Sequence, residues 1–544
     1  MSHRTPHLTR QHDHWWQKAV IYQIYPRSFF DSNGDGVGDL RGIVAKVPYL
    51  ASLGIEAIWL SPIFVSPMVD GGYDIADYNN IDPTYGSMHD FDELINSLHT
   101  AGIRLLLDLV PNHTSDQHPW FRASRASRDN PYRQWYIWRD GHDGHPPNNW
   151  ESYFGGSAWT YDSSTTQYYL HSYAPQQPDL NWRSPQVRAE MEQVMRYWLD
   201  RGVDGFRVDV LWQIIKDDRL RDNPVNPDFR SGMPFWLRQR RVYSEDRPEA
   251  HAVARWMRRI VSAYPHDRLL LAEIVLPPSR ALAYYGKNDE MHLVHNFALT
   301  ELPTWTAAGL AQTIQAYYNR LPRGAWPTWI LGDHDFSRIT SRLGPRGSRL
   351  AQLLLLTLRG TPTCYQGDEL GLLDGAIPNH MLRDPQAIAT PERNRDAART
   401  PMPWDDRLAF AGFSTAEPWL PVGPDSVPAN VRRQHDDPMS SLSFFRSLTS
   451  LRRAHHALRT GELELLTGEP PNVLAYRRVQ GSEELVVRLN LSGGTTRIGP
   501  AQDERLLFST EMDLPPGAAH RPPELLRSEE GILSVIYRND TTSA

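Results

Sequence analysis

Four stretches of this chain place acidic and histidine side chains where an apolar, strand-like run ends. They are RLLLDLVPNH (104–113), GFRVDV (205–210), LLLAEI (269–274) and TWILGDHD (328–335). Burying an unpaired carboxylate is strongly unfavourable, so carboxylates that recur at strand exits indicate one shared site. Cleaving a glycosidic bond needs two carboxylates, one that attacks the sugar carbon or activates water and one that protonates the leaving oxygen. The candidates for this chemistry are Asp209, Glu273 and Asp335.

Arg207 lies two residues before Asp209 in the predicted strand, so the two side chains point to the same face. We predict that this arginine keeps Asp209 ionised and oriented as a nucleophile. Neighbouring carboxylates drive their pKa values apart, so that one acid keeps its proton while another is ionised. Asp108, at the end of another of these runs, is interpreted as a structural residue.

Strand-like runs alternate along the chain with amphipathic, helix-like segments, a pattern typical of βα units around a parallel sheet. Besides the four stretches above, the candidate strands are 20–25, 56–62, 292–299 and 361–366. Eight such units predict an α/β fold, a (β/α)8 TIM barrel, in which the carboxyl ends of the strands form one mouth that holds the active site.

Two segments do not fit the barrel repeat. The residues after the third strand are rich in Trp, Tyr, Pro, Asn and Gly and predict a small inserted domain. The tail has short alternating runs, which predict an antiparallel β-domain. The predicted division is a catalytic barrel at 1–110 and 186–460, an inserted domain at 111–185 and a C-terminal β-domain at 461–544.

Composition limits the classes of partner. The 544 residues carry a formal net charge of −7, which gives no basic surface for nucleic acid or an anionic membrane. No apolar run approaches the roughly 18 residues that span a bilayer, and the first residues lack the apolar core of a secretory signal. Cys364 is the only cysteine, so an internal disulfide is excluded. We therefore expect a cytoplasmic protein, a monomer or homodimer, with a small-molecule substrate and no organic cofactor.

With the four stretches in this order, the chain resembles the α-amylase superfamily of glycoside hydrolases. Further motifs narrow the resemblance to the bacterial α-glucosidase and oligo-1,6-glucosidase branch: VIYQIYPRSFFDSNGDGVGDLRGI, GGYDIADY, QPDLNW, GTPTCYQGDELG and RTPMPWD, all within about residues 15–453. The resemblance implies a retaining, exo-acting enzyme that releases α-glucose from the non-reducing end of short α-glucosides through a covalent glucosyl-enzyme intermediate.

The resemblance also assigns roles to residues that match the motifs. It implies Asp209 as the nucleophile, Glu273 as the general acid/base and Asp335 as the residue that stabilises the distorted sugar. The residues implied to bind the non-reducing glucose are Asp74, Tyr73, His113, Phe154, Arg207, His334 and Arg399.

Two alternatives use the same fold. A transglucosylase would pass the glucosyl group to an alcohol or a sugar with the same residues, and a non-catalytic relative would lack part of the acid set that this chain keeps. Val210 follows the implied nucleophile, and valine there tends to accompany α-1,6 cleavage in this branch, although Leu211-Trp212-Gln213 departs from the usual continuation. The stretch RLPRG (320–324) differs from the signature of sucrose isomerases, so isomerisation is disfavoured.

The segment DSNGDGVGD (31–39) resembles the first half of a calcium-binding loop. Its candidate oxygen ligands are Asp31, Asn33, Asp35, the Val37 carbonyl and Asp39. The bidentate glutamate of a complete EF-hand is missing, because Gly42 occupies the twelfth position. The resemblance implies a structural Ca²⁺ or Mg²⁺ on the first βα loop, and the alternative is an Asx-rich turn without metal.

The sequence departs from the usual family pattern at Asp333, because members of the family usually have an asparagine before the His-Asp pair. An extended strand would put Asp333 and Asp335 on one face and His334 on the other. We expect a neighbouring base, such as Arg338, to neutralise Asp333. The alternative is an unpaired Asp333, whose repulsion from Asp335 would raise one of the two pKa values.

Overall fold

The structure is a computed structural model that describes residues 14–230, 233, 235–389, 394–501, 503–513 and 520–536. All eight predicted strands are present, although each is shorter than its apolar run. In chain order they are β1 (Ile21–Ile24), β2 (Ala57–Leu60), β3 (Arg104–Leu109), β4 (Gly205–Val208), β5 (Leu269–Ala272), β6 (Leu293–Val294), β7 (Thr328–Ile330) and β8 (Thr361–Tyr365).

The eight strands form one parallel sheet in the order β6-β5-β4-β3-β2-β1-β8-β7. Ile21 of β1 pairs with Ala57 of β2 on one side and with Thr363 of β8 on the other, so the last strands return to the first. Every residue of the strands β1, β2 and β5 is buried, as expected where helices cover a parallel sheet. This arrangement confirms the predicted barrel architecture, and it gathers the carboxyl ends of all eight strands at one mouth.

A helix or pair of helices follows each strand and covers the sheet. The helix before β3 shows why these segments fold as they do, since Ser87 and Asp90 form a capping box and an apolar stripe including Phe91 faces inward. The helices after successive strands are Leu40–Ala45 with Val47–Ser52, Met88–Thr100, Pro185–Asp200, Pro248–Ser262, Pro278–Ala281, Ala307–Arg320, Ile339–Thr357 and Ser441–Ala454.

A small irregular unit is inserted between β3 and the helix Pro185–Asp200. It contains the helix Pro119–Ala126 and a three-stranded antiparallel sheet formed by Trp138–Arg139, Gln167–Leu170 and Trp159–Asp162. An isolated bridge between His113 and Asp179 ties the end of this unit back to the exit of β3. The insertion therefore lies on the same side of the barrel as the strand exits.

The tail forms the predicted antiparallel β-domain. Its five-stranded sheet has the order Glu462–Leu465, Val473–Gln480, Glu483–Asn490, Gly531–Ile536 and Glu504–Ser509. The buried Arg478 donates hydrogen bonds to the carbonyl groups of Thr357, Leu458 and Gly461, which fastens this sheet to the barrel helices. Within the described ranges, no helix is both long enough and apolar enough to cross a bilayer.

Candidate active site

One arginine joins the two carboxylates that stand at the exits of β4 and β5. Asp209 follows the last residue of β4, and Glu273 follows the last residue of β5. The guanidinium of Arg207 lies with Nη1 2.6 Å from Asp209 Oδ1 and with Nη2 2.8 Å from Glu273 Oε2. A single guanidinium bridge keeps the two carboxylates close, as a retaining glycosidase requires with its carboxyl separation of about 5–5.5 Å. The structure thus brings together three residues that sequence analysis put at one mouth.

Burial and the bridging charge together decide the protonation of this pair. Burial raises the pKa of Asp209, the 2.6 Å contact with Arg207 opposes that effect, and the nearby Glu273 raises the pKa further. Burial likewise raises the pKa of Glu273. Two carboxylates that share one cation do not ionise independently, so the protonation of one depends on that of the other. Arg207 also contacts Asp108 at 3.0 Å, and this fully buried carboxylate orients the guanidinium.

Asp335 stands at the same mouth and is held ionised by two arginines. Arg399 Nη2 lies 2.7 Å from Asp335 Oδ1, and Arg395 Nη1 lies 3.2 Å from the same oxygen. Burial opposes ionisation, but the contact with the neighbouring His334 ring and the charges of the two guanidinium groups outweigh it and hold the pKa of Asp335 well below its ordinary value. Arg399 was predicted, whereas Arg395 was missed. Arg395 lies four residues before Arg399, and this spacing was the feature of the sequence that could have indicated a second arginine at the site.

His334 lies in an aromatic stack beside this carboxylate. Its ring is parallel to that of Tyr73 at 5.3 Å between centroids, and Gln23 Nε2 lies 2.8 Å from its Nδ1. Burial lowers the pKa of His334 to about 3, so the ring is neutral and the arginines supply the positive charge around Asp335. The prediction that His334 points away from its neighbours is wrong. β7 ends at Ile330, so the alternation of side chains along a strand no longer applies at residues 333–335. One carboxylate oxygen of Asp333, one of Asp335 and one ring nitrogen of His334 all lie within 4.8 Å of one another.

The remaining predicted substrate residues surround the same cluster. Tyr73 donates a hydrogen bond from its hydroxyl to Asp108 at 2.9 Å. His113 lies 3.1 Å from Gln177 Nε2, and burial lowers its pKa to about 4. From the inserted unit, the ring of Phe154 lies 5.1 Å from the guanidinium of Arg395. These positions agree with a pocket that the insertion closes on one side.

Asp74 does not belong to this cluster, which corrects its prediction as a sugar-binding residue. Its side chain is fully buried, and its carboxylate accepts hydrogen bonds from Ser66 Oγ at 3.0 Å and from the backbone N–H groups of Val69 at 2.9 Å and Asp70 at 3.0 Å. It therefore shapes a loop. The residue that this loop presents to the site is Asp70, which forms an ion pair with Arg395 at 2.8 Å. Asp70 directly precedes the Gly71-Gly72 turn, and this position was the feature of the sequence that could have indicated a site residue.

The α-amylase catalytic-domain family matches residues 23–461 of the chain, which include the second half of β1, all of β2 to β8 and the cluster described above. The chain belongs to this family. The oligo-1,6-glucosidase of Parageobacillus thermoglucosidasius is 40% identical over 520 residues, covering 88% of this chain and 91% of that protein. A probable α-glucosidase of Rhizobium meliloti is also 40% identical, over 511 residues that cover 90% of this chain and 92% of that protein.

Solved structures of the α-amylase family show the same architecture. An α-glucosyl transfer enzyme, XgtA, superposes with a TM-score of 0.90 at 38% identity and covers 96% of this chain and 100% of that one. A variant of the trehalulose synthase MutB superposes with a TM-score of 0.87 at 36% identity, with coverages of 96% and 100%. The same fold is therefore found in an α-glucosyl transfer enzyme and in a trehalulose synthase.

The position at which the chain departs from the usual family asparagine is buried. Asp333 is 1% exposed, and its Oδ1 accepts the backbone N–H of Asp335 at 2.8 Å. The predicted pairing with Arg338 is wrong: Arg338 Nη1 donates to the Gln366 carbonyl at 2.8 Å, and its guanidinium lies 4.9 Å from the centre of the Tyr365 ring. Burial and the charge of Asp335 raise the pKa of Asp333 to about 8.

The Asx-rich loop 31–39 offers the donor types that Ca²⁺ and Mg²⁺ prefer, because its candidate ligands are all oxygen atoms. Gly36 occupies the turn position with φ of 89°, and a Cβ there would lie 2.1 Å from the carbonyl oxygen of Glu417. Both features fit a cation loop. Asn33 and Asp35 are exposed, Val37 is partly buried, and Asp31 and Asp39 are buried.

The hydrogen bonds of this loop also describe an Asx turn. Asp31 accepts the backbone N–H of Gly34 at 2.7 Å and that of Gly36 at 2.8 Å, and Asp39 accepts that of Gly42 at 2.6 Å. The loop carboxylates do not form a cluster of three whose ligand atoms all lie within 4.8 Å of one another. The oxygen donors of the loop are therefore of the type that binds a hard cation. In this structure, however, the carboxylates of Asp31 and Asp39 accept hydrogen bonds from backbone N–H groups of the loop and of the helix that follows it.

Proposed function

We propose that this protein is a retaining, exo-acting α-glucosidase that releases α-glucose from the non-reducing end of short α-glucosides. The observation that carries the proposal is the Arg207 bridge between Asp209 and Glu273, with Asp335 held ionised at the same barrel mouth. The complete acid set argues against a non-catalytic binding protein. The names of the relatives, oligo-1,6-glucosidase and α-glucosidase, support the substrate class.

In the proposed mechanism the two bridged carboxylates have different roles. Asp209, ionised beside Arg207, attacks the anomeric carbon while Glu273 gives its proton to the departing oxygen, and a covalent β-glucosyl ester forms. Glu273 then takes a proton from water, whose oxygen attacks the same carbon and displaces Asp209. Two inversions release α-glucose and return both carboxylates to their starting protonation states.

Exo action is supported by the groups that close the pocket. Arg395 joins Asp70 and Asp335, and Phe154 of the inserted unit covers its guanidinium. Charged and aromatic groups from four different loops thus meet around Arg395, an arrangement that suits a single terminal sugar. The proposed roles of His113, His334, Tyr73 and Arg399 are to orient the hydroxyl groups of that sugar.

Proton NMR of the first-formed product tests the proposal. With an alkyl or aryl α-glucoside as substrate, all of the glucose comes from the non-reducing residue, and its α-anomer should appear first and then mutarotate. Appearance of β-glucose first would exclude the double displacement, and the absence of any glucose from the whole substrate panel would exclude the α-glucosidase proposal. The panel contains maltose, isomaltose, sucrose, trehalose, nigerose and kojibiose, and its initial rates also identify the preferred linkage.

A second candidate is glucosyl transfer to an alcohol or a sugar, favoured by the TM-score of 0.90 with an α-glucosyl transfer enzyme. The same covalent ester would form, and an acceptor hydroxyl would replace water in the second step. Incubation with maltose and an excess of a small alcohol separates the two functions. A hydrolase yields mainly glucose, whereas a transferase yields mainly the alkyl α-glucoside and one glucose per transfer.

We also propose a structural Ca²⁺ or Mg²⁺ at loop 31–39. Its support is the all-oxygen donor set and the glycine at the turn position. When bound, the cation would supply charge that holds the loop carboxylates together. The proposed catalytic steps run through the protein's own carboxylates, so the cation's contribution is to stability.

Cytoplasmic location and a monomeric or homodimeric state are proposals as well. The buried, unpaired Cys364 agrees with a reducing compartment. Cell fractionation tests the location, and light scattering coupled to size-exclusion chromatography tests the oligomeric state.

A further inference from the structure

A second carboxyl group stands beside Asp335 without a counter-charge. Asp333 is 1% exposed, and its Oδ1 accepts the Asp335 backbone N–H at 2.8 Å, whereas its Oδ2 is buried and has no hydrogen-bond partner among the described residues. One of its carboxylate oxygens, one of those of Asp335 and one ring nitrogen of His334 all lie within 4.8 Å of one another. A buried carboxylate in this position would lack both solvent and a cation, and it would face the charge of Asp335.

Among the described residues, no arginine forms a hydrogen bond or an ion pair with the Asp333 carboxyl group. Arg342 donates to the backbone carbonyls of Thr300 and Leu331, and Arg338 donates to that of Gln366. Arg207 is shared by Asp108, Asp209 and Glu273. The charged and titratable groups that face Asp333 from its own loop and from the elements around it are His334, Asp335, Arg207, Glu273, Arg342 and Tyr365.

We propose that Asp333 is a neutral carboxylic acid that positions the Asp335 turn, and that it must keep its proton for the catalytic site to work. The Asp333 oxygen that accepts the Asp335 N–H fixes the turn in either protonation state. Loss of the proton would place a second negative charge within the catalytic cluster, next to Asp335 and close to Glu273. Asp333 is a positioning residue, and this inference rests on the proposed glucosidase function for its activity readout only.

The protonation of Asp333 determines how stability and activity should change with pH. Its pKa of about 8 in the folded protein lies above the value of about 3.9 in an unfolded chain, because burial and the Asp335 charge disfavour ionisation. The folded state therefore binds the proton more tightly, and this part of the stability is present at low pH and is lost as the pH rises toward 8. The activity should fall through the same pKa on the alkaline side.

Asp333→Asn is the test variant, because asparagine has nearly the same shape and no proton to lose. The first readout needs no substrate: the melting temperature of the variant relative to that of the unmodified protein should rise progressively between pH 5 and pH 8. Asp368→Asn is the comparison variant: burial raises the pKa of Asp368 to about 7, so its melting temperature should show a similar pH trend, but its carboxylate accepts the N–H of Tyr365 and not that of Asp335. A difference in melting temperature that is constant across this range for Asp333→Asn would overturn the inference.

The second readout is the pH profile of kcat/KM. Asp333→Asn should retain activity within a few-fold at pH 6 and should move the alkaline limb to higher pH by one unit or more, whereas Asp368→Asn should leave that limb in place. An unchanged alkaline limb would overturn the positioning role even if the stability readout succeeded. Asp333→Ser, which keeps an uncharged oxygen near the Asp335 N–H, is the second variant if the asparagine variant does not fold. Absence of any activity in the unmodified protein would count against the proposed function and would leave the stability readout valid.

Discussion

Asp70 and Arg395 form a buried ion pair at 2.8 Å, although 325 residues separate them in the chain. The pair joins the loop after β2 to the loop after β8. Arg395 also contacts Asp335 at 3.2 Å, so its guanidinium connects Asp70 to the carboxylate that is proposed to stabilise the distorted sugar. Removing Asp70 should therefore affect the binding of the terminal sugar and the ionisation of Asp335 together.

Asp70→Asn is predicted to lower kcat/KM by roughly 100-fold, because Arg395 loses one of the buried carboxylates that hold its guanidinium in place beside Asp335. The matched control is Asp74→Asn, which alters a fully buried carboxylate of the same loop that does not reach the cluster. The control should lower the melting temperature more than kcat/KM. Steady-state kinetics on isomaltose and maltose, with melting curves for both variants, decide between them. Equal kinetic losses in the two variants would contradict the separation of roles.

The barrel and its acidic exits could be predicted because they depend on local patterns. Apolar runs specify the buried strands, and the parallel order of the strands sends Asp209, Glu273 and Asp335 to one mouth. Arg395 and Asp70 could not be predicted with the same certainty, because they lie in long loops whose conformation depends on contacts hundreds of residues away. Asp74 was a plausible mistake, since sequence position within a motif does not reveal which of two aspartates faces the pocket.

The roles of Asp209 and Glu273 can be separated by chemical rescue. Either substitution to alanine should lower turnover by at least about 10⁴-fold, because each removes a group used in both steps. Added azide should restore turnover in both variants and give different products. In Asp209→Ala, azide replaces the nucleophile and yields the β-glucosyl azide. In Glu273→Ala, azide attacks the glucosyl ester and yields the α-glucosyl azide, so identical products from the two variants would contradict the assignment.

His113 should make stability dependent on acid pH. Burial lowers its pKa to about 4, below the value of about 6.5 in an unfolded chain. The unfolded state then binds more protons at this group between these values, so the contribution of His113 to stability rises with pH over this interval and is reduced by about 3 kcal/mol as the pH drops from 6.5 to 4. His113→Asn should remove part of this dependence in urea unfolding measured at pH 4.5 and pH 7. His435→Asn, at an exposed site, should leave the dependence unchanged.

Chelation tests the cation at loop 31–39. A ligand that binds only the folded state stabilises it by RT ln(1 + [L]/Kd), which is about 2.7 kcal/mol at a hundredfold excess over Kd. Thorough chelation should lower the melting temperature and leave turnover at low temperature nearly unchanged. Asp35→Asn changes an exposed candidate ligand and should make the protein insensitive to chelator. An unchanged melting temperature together with no bound metal by elemental analysis would leave only the Asx turn.

Val210 has a strained backbone conformation and contacts Glu273, the proposed acid/base residue. It follows Asp209 with φ of 37° and ψ of 41°, a left-handed conformation that costs a β-branched residue about 1–3 kcal/mol. This turn brings the Val210 N–H to 3.4 Å from Glu273 Oε2. The strained valine therefore lies beside Asp209 and Glu273, the proposed nucleophile and acid/base residue, and we expect its side chain to affect the choice of linkage.

Substitution of Val210 should separate the effect of its side chain from that of its backbone. If the side chain selects the linkage, Val210→Ala and Val210→Gly should both raise the ratio of kcat/KM for maltose over isomaltose, by about tenfold or more, since a few methyl groups of differential contact are worth 1–3 kcal/mol. Glycine adopts the left-handed conformation without strain, so Val210→Gly should also lose less stability than Val210→Ala despite its smaller side chain. A changed linkage ratio in the glycine variant alone would assign the selectivity to the backbone turn that holds Glu273.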